Sequence, residues 1–232
     1  MPTILITGAN RGIGLELTRQ YVDDGWTVFA CCRSPETAHA LNDLAAGGSS
    51  VDVYRLDVTD ADQRASLAAR LRGKPIDILC NNAGISGNWA TQGFGQCQAD
   101  EWLKVLHINV IAPMLMTQDF VENVAVSERK IIANISSGIG SISNANVLDG
   151  RYIYRSSKAA LNMLSVSCAY DLAERGIVVV ALHPGWVRTD MGGSNATLCV
   201  EESVTALRKN LARITFSDSG RFIDIDGGTI PW

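Results

Sequence analysis

A glycine-rich turn near the start of the chain constrains the possible fold more strongly than any other feature of the sequence. The apolar run Thr3–Thr7 predicts a short strand, and a helical pattern follows the turn through about residue 22. A strand, a tight turn of small residues and a helix form the arrangement in which backbone N–H groups bind a phosphate. The spacing is G-x-x-x-G-x-G, and a purely structural turn is the alternative. The residues expected to contact a nucleotide here are Gly8, Asn10, Arg11, Gly12, Ile13 and Gly14.

Strand-like and helix-like patterns alternate along the whole chain. Apolar runs predict further strands over residues 26–32, 50–56, 76–80, 130–135, 177–183 and 221–225. Helical patterns separate these runs, and there are no repeats, linkers or low-complexity segments. The alternation predicts a single α/β domain over residues 1–232, with a doubly wound Rossmann fold of about seven parallel strands and helices on both faces.

Composition argues against several classes of function. The net charge of −4 and the pI of about 5.4 give no basis for binding nucleic acid or an acidic membrane surface. Six cysteines without C-x-x-C spacing and three histidines form no metal-binding pattern. No apolar run approaches the ~18 residues of a membrane span, and no signal segment is recognisable before the first strand. We therefore expect a cytoplasmic protein without metal, nucleic-acid or membrane partners.

The end of the second predicted strand bears on the choice of cofactor. In a dinucleotide fold this position faces the adenosine ribose, where an acidic residue selects the free 2′-hydroxyl of NAD(H). Here the strand ends in Cys32 and Arg33, and Arg11 is available in the glycine turn. Guanidinium groups suit a 2′-phosphate, so we expect NADP(H) rather than NAD(H). The alternative is that Arg33 only caps the strand in solvent.

Polar or small residues also follow the third and fourth predicted strands. Asp57 and Val58 end the third strand, where they could touch the adenine ring. Asn81, Ala83 and Gly84 follow the fourth strand. Their small or amide-bearing side chains suit either a structural brace or the edge of a ligand site, and the sequence leaves both open.

Tyr154 and Lys158 form the main candidate for chemistry. On a helix, two residues four positions apart lie one turn apart on the same face. A nearby ammonium favours the phenolate, so we expect Lys158 to lower the pKa of Tyr154 from ~10 by roughly 1–3 units. Such a phenol can donate or accept a proton at a carbonyl or an alcohol. Taken alone, the pair would more often be two solvated neighbours.

Two further features belong to the same argument. Asn109 lies within a helix predicted over residues 100–123, where an amide is unfavourable without a specific role. Pro113 should free carbonyl groups near it and bend the helix. Ser136 and Ser137 follow the fifth predicted strand, at the edge of the sheet where ligands bind in open α/β folds. Either serine could instead satisfy only local backbone groups.

Taken together, these motifs resemble the short-chain dehydrogenase/reductase family over the whole chain. They are Thr7-Gly8-x-x-x-Gly12-x-Gly14, Asn81-Asn82-Ala83-Gly84, Asn109, Ser136-Ser137, Tyr154-x-x-x-Lys158 and Pro184-Gly185, in the order of that family. The segments NISSGIGSIS, PGWVRTDMGG and SGRFIDIDGGTIPW are similar to the C-signalling-factor and Sniffer-type carbonyl reductase branch.

The resemblance implies a role for each matching residue. Tyr154 would be the general acid or base, and Lys158 would lower its pKa and hold the nicotinamide ribose. Asn109 would hold a water in the proton path to Lys158. Ser137 would polarise the carbonyl of the substrate. The residues implied to contact the nicotinamide end of the cofactor are Pro184, Gly185, Val187 and Thr189.

The sequence departs from many family members between the serines and the tyrosine. The interval from Ser137 to Tyr154 is longer, and the extra residues should form a longer loop over residues 143–151 beside the substrate. This departure leaves Ser136 and Ser141 as alternative catalytic serines.

The implied activity is that of an NADPH-dependent carbonyl reductase acting on a ketone, an aldehyde or a quinone. The rival interpretation is a non-catalytic signalling protein that keeps the nucleotide-binding fold. Residues 85–98 would form a wall of the substrate site, and residues 190–200 a flexible lid. Family members associate through the helices around Asn109 and after Tyr154, so we expect a homodimer or homotetramer. Apolar residues in excess of one buried stripe on these helices are Met114, Leu115, Met116, Met163, Leu164 and Val166.

Overall fold

The fold is built on one open sheet in which neighbouring strands are parallel. The structure is a computed structural model that describes residues 1–47, 50–145 and 150–232. Its strands are β1 (Thr3–Thr7), β2 (Thr27–Cys32), β3 (Val51–Arg55), β4 (Ile78–Asn81), β5 (Ile131–Ile135), β6 (Val178–Leu182) and β7 (Phe222–Ile223). Their order in the sheet is β3-β2-β1-β4-β5-β6-β7. The predicted doubly wound Rossmann fold with seven parallel strands is confirmed. Chain order reverses between β1 and β4, so a ligand crevice is expected beyond their carboxyl ends.

Helices cover both faces of the sheet. They are α1 (Gly12–Asp23), α2 (His39–Ala46), α3 (Ala61–Arg70), α4 (Ala99–Leu106), α5 (Ala112–Ala125), α6 (Tyr152–Asp171) and α7 (Val200–Arg213). Successive strand residues point to opposite faces, so Ile4 and Ile6 of β1 join one core cluster and Leu5 joins the other. The first cluster also takes apolar residues from α1, α2 and α7, and the second takes them from α3, α5 and α6. The two clusters pack against opposite faces of the sheet beneath the crevice.

The helix predicted over residues 100–123 is distorted around Asn109. The chain forms α4, then a π-helical stretch from His107 to Ile111, and then α5. Pro113 lies in the first turn of α5, where its missing N–H removes one bond of the helical ladder. A widened turn of this kind occurs frequently at functional sites. The predicted segment is therefore helical throughout and distorted near Pro113, where a bend was expected, and this distortion places the buried Asn109 side chain at the edge of the crevice.

Other boundaries also differ from the sequence patterns. The helical segment between β2 and β3 begins as a 3₁₀ turn, Pro35–Thr37, and α2 starts only at His39. The last strand is short because the chain turns back at once, and Ile223 forms an antiparallel bridge with Thr229. Part of the longer loop predicted over residues 143–151, namely residues 146–149, lies outside the described residues.

Membrane-spanning helices and metal-binding clusters are both absent from the described ranges. Within them, no helix has both the length and the apolar character needed to cross a membrane. No group of three or more His, Cys, Asp or Glu side chains in these ranges could hold a metal ion. The six cysteines are all present as free thiols.

Candidate active site

The side chain of Ser137 lies close enough to the phenol of Tyr154 to lower its pKa by hydrogen bonding. Ser137 follows β5, and Tyr154 lies in the first turn of α6, which packs beside that strand's carboxyl end. Burial raises the pKa of Tyr154 to about 12, and the bond from Ser137 opposes this rise without cancelling it. The phenol is therefore protonated at neutral pH and can donate its proton.

Lys158 lies one helical turn after Tyr154, but its ammonium group bonds to a different residue. Its Nζ donates a hydrogen bond to the carbonyl oxygen of Ile135, 2.8 Å away, and lies 5.7 Å from the ring centroid of Tyr154. Burial lowers the pKa of Lys158 to about 8. The expectation that Lys158 brings the pKa of Tyr154 below its ordinary value is wrong for this structure. The reason is that desolvation disfavours the charged forms of both side chains.

Asn109 connects the π-helical stretch to the loop after β4 and to α6. Its Oδ1 accepts the N–H of Ile85 at 2.9 Å, and its Nδ2 donates to the carbonyl oxygen of Ile85 and to Ser157 Oγ. A Cβ placed on Gly84 would lie 3.2 Å from Asn109 Oδ1 and 3.7 Å from Lys158 Nζ. Gly84, Asn109 and Lys158 thus converge on one point, and a side chain at residue 84 would occupy it.

The alternative serines have other partners. Ser136 is buried, and its hydroxyl donates to Asn162 Oδ1 at 2.6 Å, within the core beneath α6. Ser141 is also buried, and it donates to the carbonyl oxygen of Pro231 at 2.6 Å. Of the three candidates, Ser137 is therefore the one that the structure brings into contact with Tyr154.

The glycine turn after β1 is shaped by close backbone packing. Gly12 has φ of +53°, a conformation that favours glycine, and a Cβ on Gly14 would collide with the carbonyl oxygen of Gly8. Asn82 braces the turn through a 2.8 Å bond from its Nδ2 to the carbonyl oxygen of Thr7. No described side chain caps the N-terminus of α1, so its first N–H groups remain available to an anion.

The expected contacts with the adenosine half are only partly assembled around the crevice. Arg33 is exposed at the end of β2, and no described residue offers its guanidinium a hydrogen bond or an ion pair. The guanidinium of Arg11 is not free, because Arg11 forms an exposed ion pair with Asp190 across the crevice. The Asp57 carboxylate accepts hydrogen bonds from the N–H and the hydroxyl of Thr59.

The residues after β4 divide between brace and site wall. Asn81 is buried, and its Nδ2 donates to Asn134 Oδ1 at 2.8 Å, so its side chain braces β4 against β5. Val58 and Ala83 line a small cleft beside Thr7. Asn81 braces the strands through its Nδ2 and also lines this cleft, where its buried Oδ1 has no hydrogen-bond partner among the described residues.

The chain is similar to known proteins over most of its length. A family model described as short chain dehydrogenase matches residues 2–197. The chain belongs to the short-chain dehydrogenase family. Membership makes it an oxidoreductase acting at a carbonyl or an alcohol.

The similarity extends to particular members of the family. The C-signal protein of Myxococcus xanthus is 39% identical over 158 residues, which cover 68% of this chain and 93% of that protein. An NADPH-bound carbonyl reductase from chicken fatty liver is 35% identical with a TM-score of 0.92, covering 100% of this chain and 99% of that chain. The carbonyl reductase Sniffer of D. melanogaster is 32% identical with a TM-score of 0.93, covering both chains completely. The branch resemblance seen in the sequence is confirmed.

In this short-chain dehydrogenase, the chain after β6 forms the opposite wall of the crevice. Pro184 accepts a 2.7 Å bond from Ser203 of α7, and Gly185 has φ of +78° in close contact with Leu198. Val187 forms a bridge with Leu198, which closes the following segment into a loop. Thr189 approaches the glycine turn, since a Cβ on Gly12 would lie 3.4 Å from its methyl group.

The segment of residues 190–200 contains more internal bonding than its sequence indicates. The N–H of Leu198 donates to the carbonyl oxygen of Trp186 at 3.0 Å, and Trp186 Nε1 donates to that of Gly192 at 2.9 Å. Ala196 is buried. The segment without helical or strand periodicity is therefore an irregular loop held by hydrogen bonds to Trp186. Its mobility stays a prediction.

Two residues that contact the site, Gln92 and His183, were not singled out from the sequence, and Trp89 of the predicted substrate wall lies beside them. The indole of Trp89 meets the ring of Tyr154 edge-on at 5.5 Å between centroids, and buried Gln92 accepts the N–H of Tyr154. His183, immediately before Pro184, accepts the N–H of Gly138 at 3.1 Å, next to Ser137. Nothing in the local pattern marks Gln92, whereas His183 precedes the Pro-Gly motif and could have been noted there.

Proposed function

We propose that the protein is an NADPH-dependent carbonyl reductase that reduces a ketone, an aldehyde or a quinone. The observation that carries the proposal is the contact of Ser137 with a buried, protonated Tyr154 beside Lys158. Reduction of a carbonyl needs a proton donor at the oxygen, and a phenol with a pKa of about 12 keeps its proton at neutral pH.

The residues present fit a dinucleotide at the crevice. The uncapped N-terminus of α1 and the open turn at Gly12 suit a pyrophosphate, since both present backbone N–H groups without side chains in the way. Arg33 would take the 2′-phosphate, which is why NADP(H) is preferred over NAD(H). The NADPH bound by the chicken carbonyl reductase supports this choice. The remaining residues proposed to line the cofactor site are Gly8, Asn10, Ile13, Gly14, Asp57, Val58, Asn81, Ala83, Gly84, Pro184, Gly185, Val187 and Thr189.

The chemistry divides between the cofactor and the chain. When bound, the reduced nicotinamide supplies the hydride for the carbonyl carbon. Ser137 would donate a hydrogen bond to the developing oxyanion, and Tyr154 would protonate that oxygen. Lys158 would hold the ribose and stabilise the phenolate that Tyr154 becomes. Asn109 would hold a water near Lys158 Nζ, at the point where it converges with Gly84.

The direct test is NADPH oxidation by the purified protein with a panel of aldehydes, ketones and quinones. We expect saturable turnover with at least one class, and weaker turnover with NADH at equal concentration. Binding of NADPH without turnover of any carbonyl would favour the rival function, a nucleotide-binding signalling protein, to which the similarity with the M. xanthus C-signal lends support.

A further inference from the structure

Gln92 is a buried amide in a loop that otherwise faces solvent. It follows the 3₁₀ turn Trp89–Thr91, and its side chain has 0% exposed surface. Its Nε2 donates to the carbonyl oxygen of Ser86 at 2.6 Å, and its Oε1 accepts the N–H of Tyr154 at 2.9 Å. The main-chain carbonyl oxygen of Gln92 accepts the N–H of Tyr152 at 3.1 Å. One residue therefore joins its own loop to two positions of α6.

These two positions are ones where a helix needs outside partners. The first four N–H groups of a helix have no acceptor within it, and a side chain just before the helix usually supplies one. Here the preceding residue is Arg151, whose guanidinium carries only donors and cannot take that role. Gln92, far away in sequence, accepts from the first and third residues of α6 instead.

The cap acts on the residue that carries the proposed chemistry. The N–H bonded by Gln92 belongs to Tyr154 itself, so the position of the phenol relative to Ser137 depends on this bond. The same loop places the indole of Trp89 against the ring of Tyr154. A shift of the loop would therefore move both the main chain and the ring contact of Tyr154.

We propose that Gln92 is a positioning residue for Tyr154: it caps α6 from the loop beside the substrate site and sets the orientation of the phenol. This inference rests on the proposed function, because it assigns the importance of the orientation to proton transfer by Tyr154. The amide does not itself touch the reacting atoms.

The test compares two substitutions at Gln92 with a matched control elsewhere. Gln92→Met keeps the length of the side chain and removes both hydrogen-bonding groups. Gln92→Glu keeps an oxygen that accepts from Tyr154, at a helix N-terminus where a carboxylate is favoured, and replaces the donor to Ser86 by an oxygen that faces the Ser86 carbonyl. Asn123→Ala is the control, since Asn123 is another buried amide that bonds the carbonyl oxygens of Leu71 and Lys74 at the opposite end of the sheet.

We expect Gln92→Met to lower kcat about tenfold or more, with the Kd of NADPH within about twofold of the unmodified protein. The kcat of Gln92→Glu should be at least about threefold higher than that of Gln92→Met. Asn123→Ala should lower the thermal midpoint of unfolding without changing kcat. The amide hydrogen of Tyr154 should exchange faster in Gln92→Met than in Gln92→Glu. If Gln92→Met keeps kcat within twofold, if Gln92→Glu is no better than Gln92→Met, or if Asn123→Ala loses as much kcat, the positioning role is wrong.

The two levels of the proposal fail separately. If the unmodified protein reduces no carbonyl, the proposed function fails, and the exchange of the Tyr154 amide still decides whether Gln92 caps α6. If neither Gln92 variant folds, Gly150→Ala provides a second perturbation of the same cap, because its Cβ would lie 3.3 Å from the Gln92 carbonyl oxygen that accepts the N–H of Tyr152. Unchanged exchange at Tyr154 in Gly150→Ala together with reduced kcat would overturn the inference, and faster exchange with reduced kcat would support it.

Discussion

The Nζ atom of Lys158 donates a hydrogen bond to the carbonyl oxygen of Ile135, the last residue of the strand that leads to Ser137. The lysine is also held at its base, because a Cβ on Gly140 would lie only 2.7 Å from Lys158 Cβ. A buried ammonium with one neutral partner loses hydration, and this lowers its pKa to about 8. Lys158 can therefore gain or lose its charge at a pH not far above neutrality.

Replacement of Tyr154 by Phe should abolish turnover and leave the Kd of NADPH nearly unchanged. The ring and its contact with Trp89 would remain, while the proton donor is lost. General acid–base catalysis contributes ~10²–10⁴-fold, so the rate should fall by about that factor. Tyr152→Phe is the matched control, since Tyr152 lies on the same helix turn and is exposed. A Tyr154→Phe protein with more than about a tenth of the original kcat would contradict the assignment.

Lys158 should make folding stability depend on alkaline pH. Below pH 8 both folded and unfolded chains carry the charge, and the cost of burying it is fully present. Between about 8 and the ordinary value of 10.5 the folded protein has lost the proton while the unfolded chain keeps it, so stability rises. Relative to Lys158→Met, the free energy of unfolding should increase by about 2 kcal/mol from pH 7.5 to 10, as measured by urea denaturation. Parallel pH profiles of the two proteins would show that the pKa is not lowered.

Arg33 should decide between the two nicotinamide cofactors. Its exposed guanidinium would gain the 2′-phosphate as a partner only when NADPH binds. Loss of one charge-assisted bond costs ~1.5–3 kcal/mol, so Arg33→Ala should weaken NADPH roughly tenfold to a hundredfold and NADH much less. Calorimetry with both cofactors measures this, with Arg72→Ala as a control at another exposed arginine. Equal losses for both cofactors would make Arg33 a structural residue.

The loop over residues 190–200 should become more protected when NADPH binds. Asp190 is paired with Arg11 of the glycine turn, so this loop already spans the crevice through one exposed ion pair. Contacts of the cofactor with Val187 and Thr189 would hold one end of the loop and reduce its opening. Hydrogen exchange of these amides should slow with saturating NADPH, while amides in the middle of α7 should not change. Identical exchange in both states would rule out the lid.

The chain should form a homodimer or homotetramer. Leu103, Ile111 and Met163 lie exposed on α4, on the π-helical stretch and on α6. Met116, expected to add to this surface, is instead buried in the core, so the surface is narrower than the sequence indicated. Light scattering at micromolar concentration should give a mass of at least twice 24.9 kDa, and Met163→Glu should lower it. A mass of one chain for the unmodified protein would contradict the expectation.

The sequence by itself determined the architecture of the fold and the pairing of Tyr154 with Lys158 on one helix face. Buried parallel strands leave continuous apolar runs, and glycines mark the turn after β1, so local chemistry was sufficient to predict the sheet and its order of elements. Tyr154 and Lys158 share a face of α6 because of helical geometry alone. These features depend on neighbours within a few residues, which is the range over which a sequence pattern is informative.

The tertiary structure decided which serine meets Tyr154, where the charge of Lys158 is directed, and which residue caps α6. The sequence left Ser136, Ser137 and Ser141 all open as the catalytic serine. Their partners differ only because β5 packs against α6 and the final residues of the chain pack against Ser141. The shifts in pKa arise from burial, which no local pattern measures. The contact of Gln92 with Tyr154 joins positions far apart in the chain, so it exists only after the loop and the helix have packed together.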